Sequence, residues 1–236
     1  DGCPFKCTYC SVPEVYPKFF GRPLERSLRE FDLLASLGVR QIAFYDDALL
    51  HRPQEILLPF LQGLRERRSG ISLHCPNALN ARMIDPRIAA GMVEAGFRTV
   101  CLGFESSSYE WQRKTGGKVY AAEFARAVET LVAAGLPAGR ITAYLILGHP
   151  QGAEQSVESS IRFVHETGAR AMLSDFSPLP GTPDGEACRR FTDLDEPLNH
   201  NKTAFPIRFL GKPEVDRLKA LCQAGNRCGQ GAVLSE

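Results

Sequence analysis

The sequence predicts an α/β protein of the barrel kind, with βα units arranged around a parallel sheet. Short β-rich runs alternate with segments of three-to-four-residue apolar spacing, and several of those segments stop at a glycine followed at once by a new apolar run. Length agrees with one large domain, because 236 residues at 44% hydrophobic content can bury a substantial core.

In chain order, a helix is expected over Leu24–Leu37, ending at Leu37-Gly38-Val39, and then a strand over Gln41–Tyr45 (QIAFY). A helix over Pro53–Arg68 leads to a strand over Ile71–Cys75 (ISLHC), and a helix over Pro86–Ala95, closed by Gly96, leads to Thr99–Phe104 (TVCLGF). A helix over Ala121–Ala134, closed by Gly135, precedes the strand Ile141–Leu147 (ITAYLIL). The helix Glu154–Glu166 stops before Gly168 and feeds the strand Ala171–Phe176 (AMLSDF). Glycine adopts the left-handed C-terminal conformation cheaply, so these αβ turns are well marked. After Ser177-Pro178-Leu179-Pro180-Gly181-Thr182-Pro183 the pattern loosens through an acidic stretch to Pro197, and a last helix is expected over Lys212–Gly225. The barrel is thus assigned to residues 1–185, and 186–236 to a C-terminal extension with one helix packing on it.

Lys and Arg total 28 against 27 Asp and Glu, so no global field draws nucleic acid or an anionic membrane, and a small-molecule substrate is favoured over nucleic acid. Neither a membrane-spanning apolar run nor a signal-peptide pattern is present, and with reduced thiols this points to the cytoplasm.

The opening run DGCPFKCTYC places Cys3, Cys7 and Cys10 in a CxxxCxxC triplet. A structural zinc site closes with four ligands, usually from two nearby pairs, and no second pair is near. Cys75 and Cys101 stand alone in apolar runs, and five residues separate Cys222 from Cys228. Eight cysteines in 236 residues are also too few for a disulfide framework of the small secreted kind. Three thiolates on a four-iron cluster leave one iron available to a small molecule. Cys188, Cys222 and Cys228 read as scattered structural thiols.

The triplet, with Tyr9 just before its third cysteine, resembles the CxxxCx(aromatic)C signature of the radical S-adenosylmethionine (SAM) superfamily. That resemblance implies a [4Fe–4S] cluster on Cys3, Cys7 and Cys10 whose open iron chelates SAM, and reductive cleavage of SAM to a 5′-deoxyadenosyl radical that abstracts a substrate hydrogen. It further implies a partial (β/α)6 TIM-like barrel whose cluster loop follows the first strand. That strand is therefore expected upstream of residue 1, and an electron donor such as flavodoxin or ferredoxin is expected as a partner. Further strand-end motifs place the chain near the branch shared by cobalamin-binding-domain radical SAM proteins and methylthiotransferases. This branch implies cobalamin carried by an upstream domain and methyl transfer or rearrangement as the reaction. A tRNA methylthiotransferase-like enzyme is the alternative within the family; a non-catalytic zinc or iron–sulfur redox module is the alternative outside it.

Barrels of this architecture carry their chemistry at the C-terminal ends of the strands, which nominates the remaining site residues. Tyr45-Asp46-Asp47 stands where the family holds the SAM amino group; Asp47 fits that role, and capping of the next turn fits equally well. Asn77, after His74-Cys75-Pro76, is the expected substrate or cofactor contact. Gly103-Phe104-Glu105-Ser106 resembles the family's Gly-x-Glu-Ser segment. Glu105 closes an apolar strand, where burial without a partner costs several kcal/mol. Lys118 or Lys114 fits the basic residue that pairs with the cofactor carboxylate, although both also suit a solvated loop. Leu147-Gly148-His149-Pro150 resembles a Gly-Leu-Pro-Gly motif, with Gly148 allowing close approach of adenine and Tyr9 flanking it. His149 replaces the usual leucine and is nominated as a substrate-side group.

Overall fold

The computed structural model describes residues 1–152, 154–201 and 203–231, excepting the side chains of 154, 155 and 228–231. Five strands, β1 (Gln41–Ala43), β2 (Ser72–Asn80), β3 (Phe97–Glu105), β4 (Ile141–Leu147) and β5 (Arg170–Asp175), form one sheet in sequence order, every pair parallel. Parallel neighbours need crossovers, and helices supply them. After α1 (Val12–Val15) and α2 (Leu24–Ser36), the connections are α3 (Leu57–Arg67), α4 (Pro86–Ala95), α5 (Tyr109–Lys114) with α6 (Ala121–Ala133), and α7 (Glu154–Glu166). This is an α/β partial barrel, and its strands all end on the same side.

Elements with clear local signals begin and end where the sequence places them. Asp85 caps α4 by accepting from Ile88 N–H at 2.7 Å, Pro86 opens the helix, and Gly96 closes it at φ +103°. Other boundaries move. β2 continues five residues beyond Cys75, slipping register between Cys75 and Leu79 where Pro76 offers no N–H to the ladder. α3 starts at Leu57 rather than Pro53, because 53–56 turn on Arg52, which holds φ +52°. α5 falls in what reads as a loop; at six residues it is too short for periodicity to reveal, yet Ser108 caps it and it buries Trp111 and Gln112. The extension holds two α-helices rather than one, α9 (Ala204–Leu210) and α10 (Lys212–Gly231), preceded by the short α8 (Pro183–Ala187).

The core lies between sheet and helices. Leu73, Val100, Leu102, Ala143, Leu145 and Ala171 point into it from the strands and are at most 2% exposed. The opposite, inner face carries His74, Thr99, Cys101, Tyr144 and Met172, and remains half-exposed. Closed barrels fill that space with side chains; here it is an open trough.

The outer edge of β5 is covered by α10. Asn226 accepts from Ala171 N–H at 2.9 Å and donates to Ala171 O at 2.8 Å, so one side-chain amide stands in for a neighbouring strand. His165 Nε2 donates to the same Asn226 oxygen at 3.1 Å. Gly225 makes room for that imidazole, since a Cβ there would stand 2.1 Å from the ring. Alanine normally stabilises a helix interior relative to glycine, but here the sign should reverse. Gly225→Ala is expected to lower stability by about 1–3 kcal/mol, the usual cost of overpacking, measured by urea unfolding.

Candidate active site at the strand ends

The segment Asp1–Ser11 lies across the C-terminal ends of the strands and is fixed there at several points. Gly2 N–H donates to Asp47 Oδ2 at 2.8 Å, tying the segment to the loop after β1. Thr8 N–H donates to Thr115 O at 3.2 Å, and Asp184 N–H donates to Thr8 O at 3.0 Å. Gly116 lets the chain pass close by, because a Cβ there would meet Lys6 O at 2.9 Å. Cys10 N–H bonds Cys7 O at 3.1 Å, closing a turn between the last two cysteines.

Cys3, Cys7 and Cys10 line one open cleft of about 160 Å³, together with Tyr9, Asp47, Asn77, Asn80 and Lys118. Burial pushes the Cys3 and Cys7 thiols up, an effect that Lys118 partly opposes. Among the described residues no three His, Cys, Asp or Glu side chains converge on a single-ion position.

Lys118 Nζ donates to Glu105 Oε1 at 3.0 Å, with the side chains 16% and 8% exposed. Burial opposes the lysine charge, but the Glu105 carboxylate and the neighbouring Cys7 and Cys10 outweigh it and hold the pKa raised. The pair is built with care. Glu105 sits at φ +65°, rare for a residue with a side chain, in a tight turn where Ser106 N–H bonds Phe104 O at 2.8 Å. The buried Gln112 amide donates to both Phe104 O and Ser106 O, holding that turn. Gly103 leaves the space that Lys118 fills, since a Cβ there would stand 2.4 Å from Nζ. Lys114, by contrast, is an exposed residue in the last turn of α5.

Two buried polar atoms in the cleft have no partner among the described residues: the Tyr9 hydroxyl and Asn80 Nδ2. Burial and the nearby Glu105 carboxylate push the Tyr9 pKa well up, so the hydroxyl keeps its proton. Orphaned donors of this kind cost free energy unless a ligand meets them, and they fit a polar cofactor.

Seven of the ten nominated residues, Cys3, Cys7, Tyr9, Cys10, Asp47, Asn77 and Lys118, thus share this cleft, and Glu105 joins it through Lys118. Asn77 spends its amide on Asp46 O at 2.8 Å and Tyr45 O at 3.4 Å, which fixes the loop after β1. Gly148 and His149 are placed differently. Gly148, at φ +83°, is covered by α9, since a Cβ there would meet Pro206 at 2.8 Å. His149 is 3% exposed and turned inward with both ring nitrogens hydrogen-bonded, so it presents none to a substrate. Sequence reasoning missed Asn80, which follows the expected end of β2, and Asp184, which reaches Thr8 from α8.

Cys188 and Cys222 do not come together. Cys188 packs with Phe176 and Phe205, whereas Cys222 belongs to the main core and donates to Ala171 O at 3.2 Å. The Cys228 side chain lies outside the described residues.

Fold and site together define a partial α/β barrel that carries a three-cysteine loop across the C-terminal ends of its strands. The family model described as the radical SAM superfamily matches residues 1–164, and the chain belongs to that superfamily of enzymes. An uncharacterized methyltransferase of Pyrococcus horikoshii is 28% identical over 185 residues, covering 77% of this chain and 39% of its own length. The bacteriochlorophyllide d C-12(1)-methyltransferase of Chlorobaculum tepidum is 25% identical over 194 residues, covering 77% of this chain and 40% of that protein. The chain therefore spans less than half the length of these relatives. Among solved structures, the radical SAM methyltransferase TsrM of Kitasatospora setae, with tryptophan substrate and a SAM analogue bound, superposes with a TM-score of 0.70 at 18% identity. That match covers 80% of this chain and 37% of TsrM, which has also been solved with cobalamin and a [4Fe–4S] cluster bound. Among the described residues no helix is long and apolar enough to cross a membrane.

Proposed function

We propose that this chain is the catalytic barrel of a SAM-cleaving enzyme, in which Cys3, Cys7 and Cys10 hold a [4Fe–4S] cluster and SAM lies in the cleft beside them. The observation that carries the reading is the convergence of three thiols, the Lys118 ammonium and two unpartnered polar groups in one cleft. Bound by these three thiolates, the cluster would supply the reducing electron for cleavage of SAM.

The protein's part is binding, orientation and exclusion of water. Lys118, oriented by Glu105, offers a charge-assisted donor to the cofactor carboxylate, and Asp47 an acceptor to its ammonium. The Tyr9 hydroxyl and Asn80 amide supply further polar contacts. Phe5, Val12, Leu49, Leu50 and Met83 form the apolar wall of the cleft. The half-exposed inner face of the sheet gives a small-molecule substrate room beside the cofactor. Similarity to two methyltransferases and the likeness to TsrM favour methyl transfer, with a cobalamin-binding domain in the longer protein. A flavodoxin or ferredoxin in the cytoplasm would serve as reductant.

Anaerobic reconstitution with iron and sulfide should load about four irons per chain. With dithionite and SAM, the loaded protein should release 5′-deoxyadenosine, quantified by chromatography. Stoichiometric zinc with no cofactor cleavage would sink the proposal.

A further inference from the structure

We infer that His149 is a positioning residue, a brace that holds both residues between Cys7 and Cys10 and so sets how those two thiolates meet the cluster. The inference rests on the cluster reading above. His149 Nδ1 accepts from Trp111 Nε1–H at 3.3 Å and from Gln151 N–H at 3.2 Å. Both partners are donors only, so Nδ1 carries no proton, and the proton on Nε2 is donated to Asp184 Oδ2 at 3.0 Å. Geometry thus leaves the imidazole one tautomer and one orientation.

From that fixed ring two arms reach the cysteine turn. One runs through Asp184, whose Oδ2 also accepts from Thr8 Oγ1 at 2.5 Å while Gln151 Nε2 donates to its Oδ1 at 3.3 Å. The other runs through Trp111, whose indole stacks on Tyr9 with ring centroids 5.7 Å apart and meets the imidazole edge-on. Thr8 and Tyr9 are the only residues between Cys7 and Cys10. Both are therefore gripped from one buried imidazole, Thr8 by hydrogen bonds and Tyr9 by stacking. His149, Trp111 and Asp184 are at most 4% exposed, so water does not compete for the contacts among these three.

Polar partners one layer behind a metal's ligands typically change metal affinity roughly 10–100-fold when removed. Thr8→Val removes only the hydroxyl from a side chain of the same shape, and Thr8→Ser keeps it. Reconstituted wild type, Thr8→Ser, Thr8→Val and His149→Phe would be compared for iron loss to a chelator and for the electron paramagnetic resonance spectrum of the reduced cluster. Thermal melting of each protein before reconstitution serves as the folding check.

Thr8→Val and His149→Phe should lose iron roughly tenfold faster or more, with an altered spectrum. Thr8→Ser should match wild type in both, and unreconstituted Thr8→Val should melt close to wild type. A Thr8→Val protein with wild-type iron retention and spectrum overturns the inference, as does a Thr8→Ser protein that fails equally. A wild type that takes up no cluster would sink the cluster reading as well, whereas a loaded wild type beside an indifferent Thr8→Val sinks this assignment alone.

Discussion

Serine in place of Cys7 should leave a folded protein that retains almost no cluster iron and forms no 5′-deoxyadenosine above background. The hydroxyl is close in size to the thiol, so the hydrogen bonds that anchor the segment through Gly2 and Thr8 are expected to persist. What disappears is one of three thiolates, and two cannot hold a cluster that needs its irons fixed from three sides. The specificity of the effect is the stronger part of the expectation. Cys75 is 1% exposed, its thiol donates to Asn77 O at 3.3 Å, and burial pushes its pKa up to about 12. It behaves as a small buried hydrophobe. Cys75→Ala should therefore keep a full complement of iron while Cys7→Ser loses it, as measured by iron analysis and the visible absorption of the reconstituted proteins. Equal iron retention in the two variants would count against the assignment of ligands.

Lys118→Met is expected to have the second-largest effect, and on two observables that can be separated. Removing the ammonium strands the Glu105 carboxylate, 8% exposed and held in a left-handed turn by Gln112. Losing one partner of a buried pair costs about 3–5 kcal/mol, which urea unfolding of the unreconstituted protein would register. Adding Glu105→Gln removes the stranded charge and should recover most of that stability. SAM affinity should not recover with it, because the double variant has no cation for the carboxylate. Calorimetric titration of SAM into the cluster-loaded single and double variants decides the matter. If the double variant binds SAM as wild type does, the pair serves the fold and not the cofactor.

The parts legible in the sequence are those whose cause is local. α4 and α7 match residue for residue because periodicity marks them and a glycine or its neighbour ends them, and β4 matches because its apolar run is unbroken. β2 runs past its expected end at Cys75 because the sheet tolerates Pro76 at a register slip. The cysteine triplet was legible because the chemistry sits in the residues themselves; Glu105 and Lys118 were each nominated as cofactor contacts, but their pairing with one another shows only in the structure. Asp184 was not, because its partner Thr8 lies 176 positions away and nothing local marks it. His149 drew attention by standing out from its motif, but the sequence could not say which way the ring points. Trp111 and Asp184 decide that, and each reaches it from a different element.

The amide of Asn226 has a consequence for how this sheet can be extended. By occupying the outward N–H and C=O of Ala171, it makes the β5 side a finished border, reinforced by the length of α10 packed along it. The short β1, three residues long with Gln41 and Ala43 exposed, is a receptive border. Growth of the sheet is therefore directional: an additional strand, from a designed fusion or from elsewhere in a longer polypeptide, would be accepted beside β1 and refused beside β5.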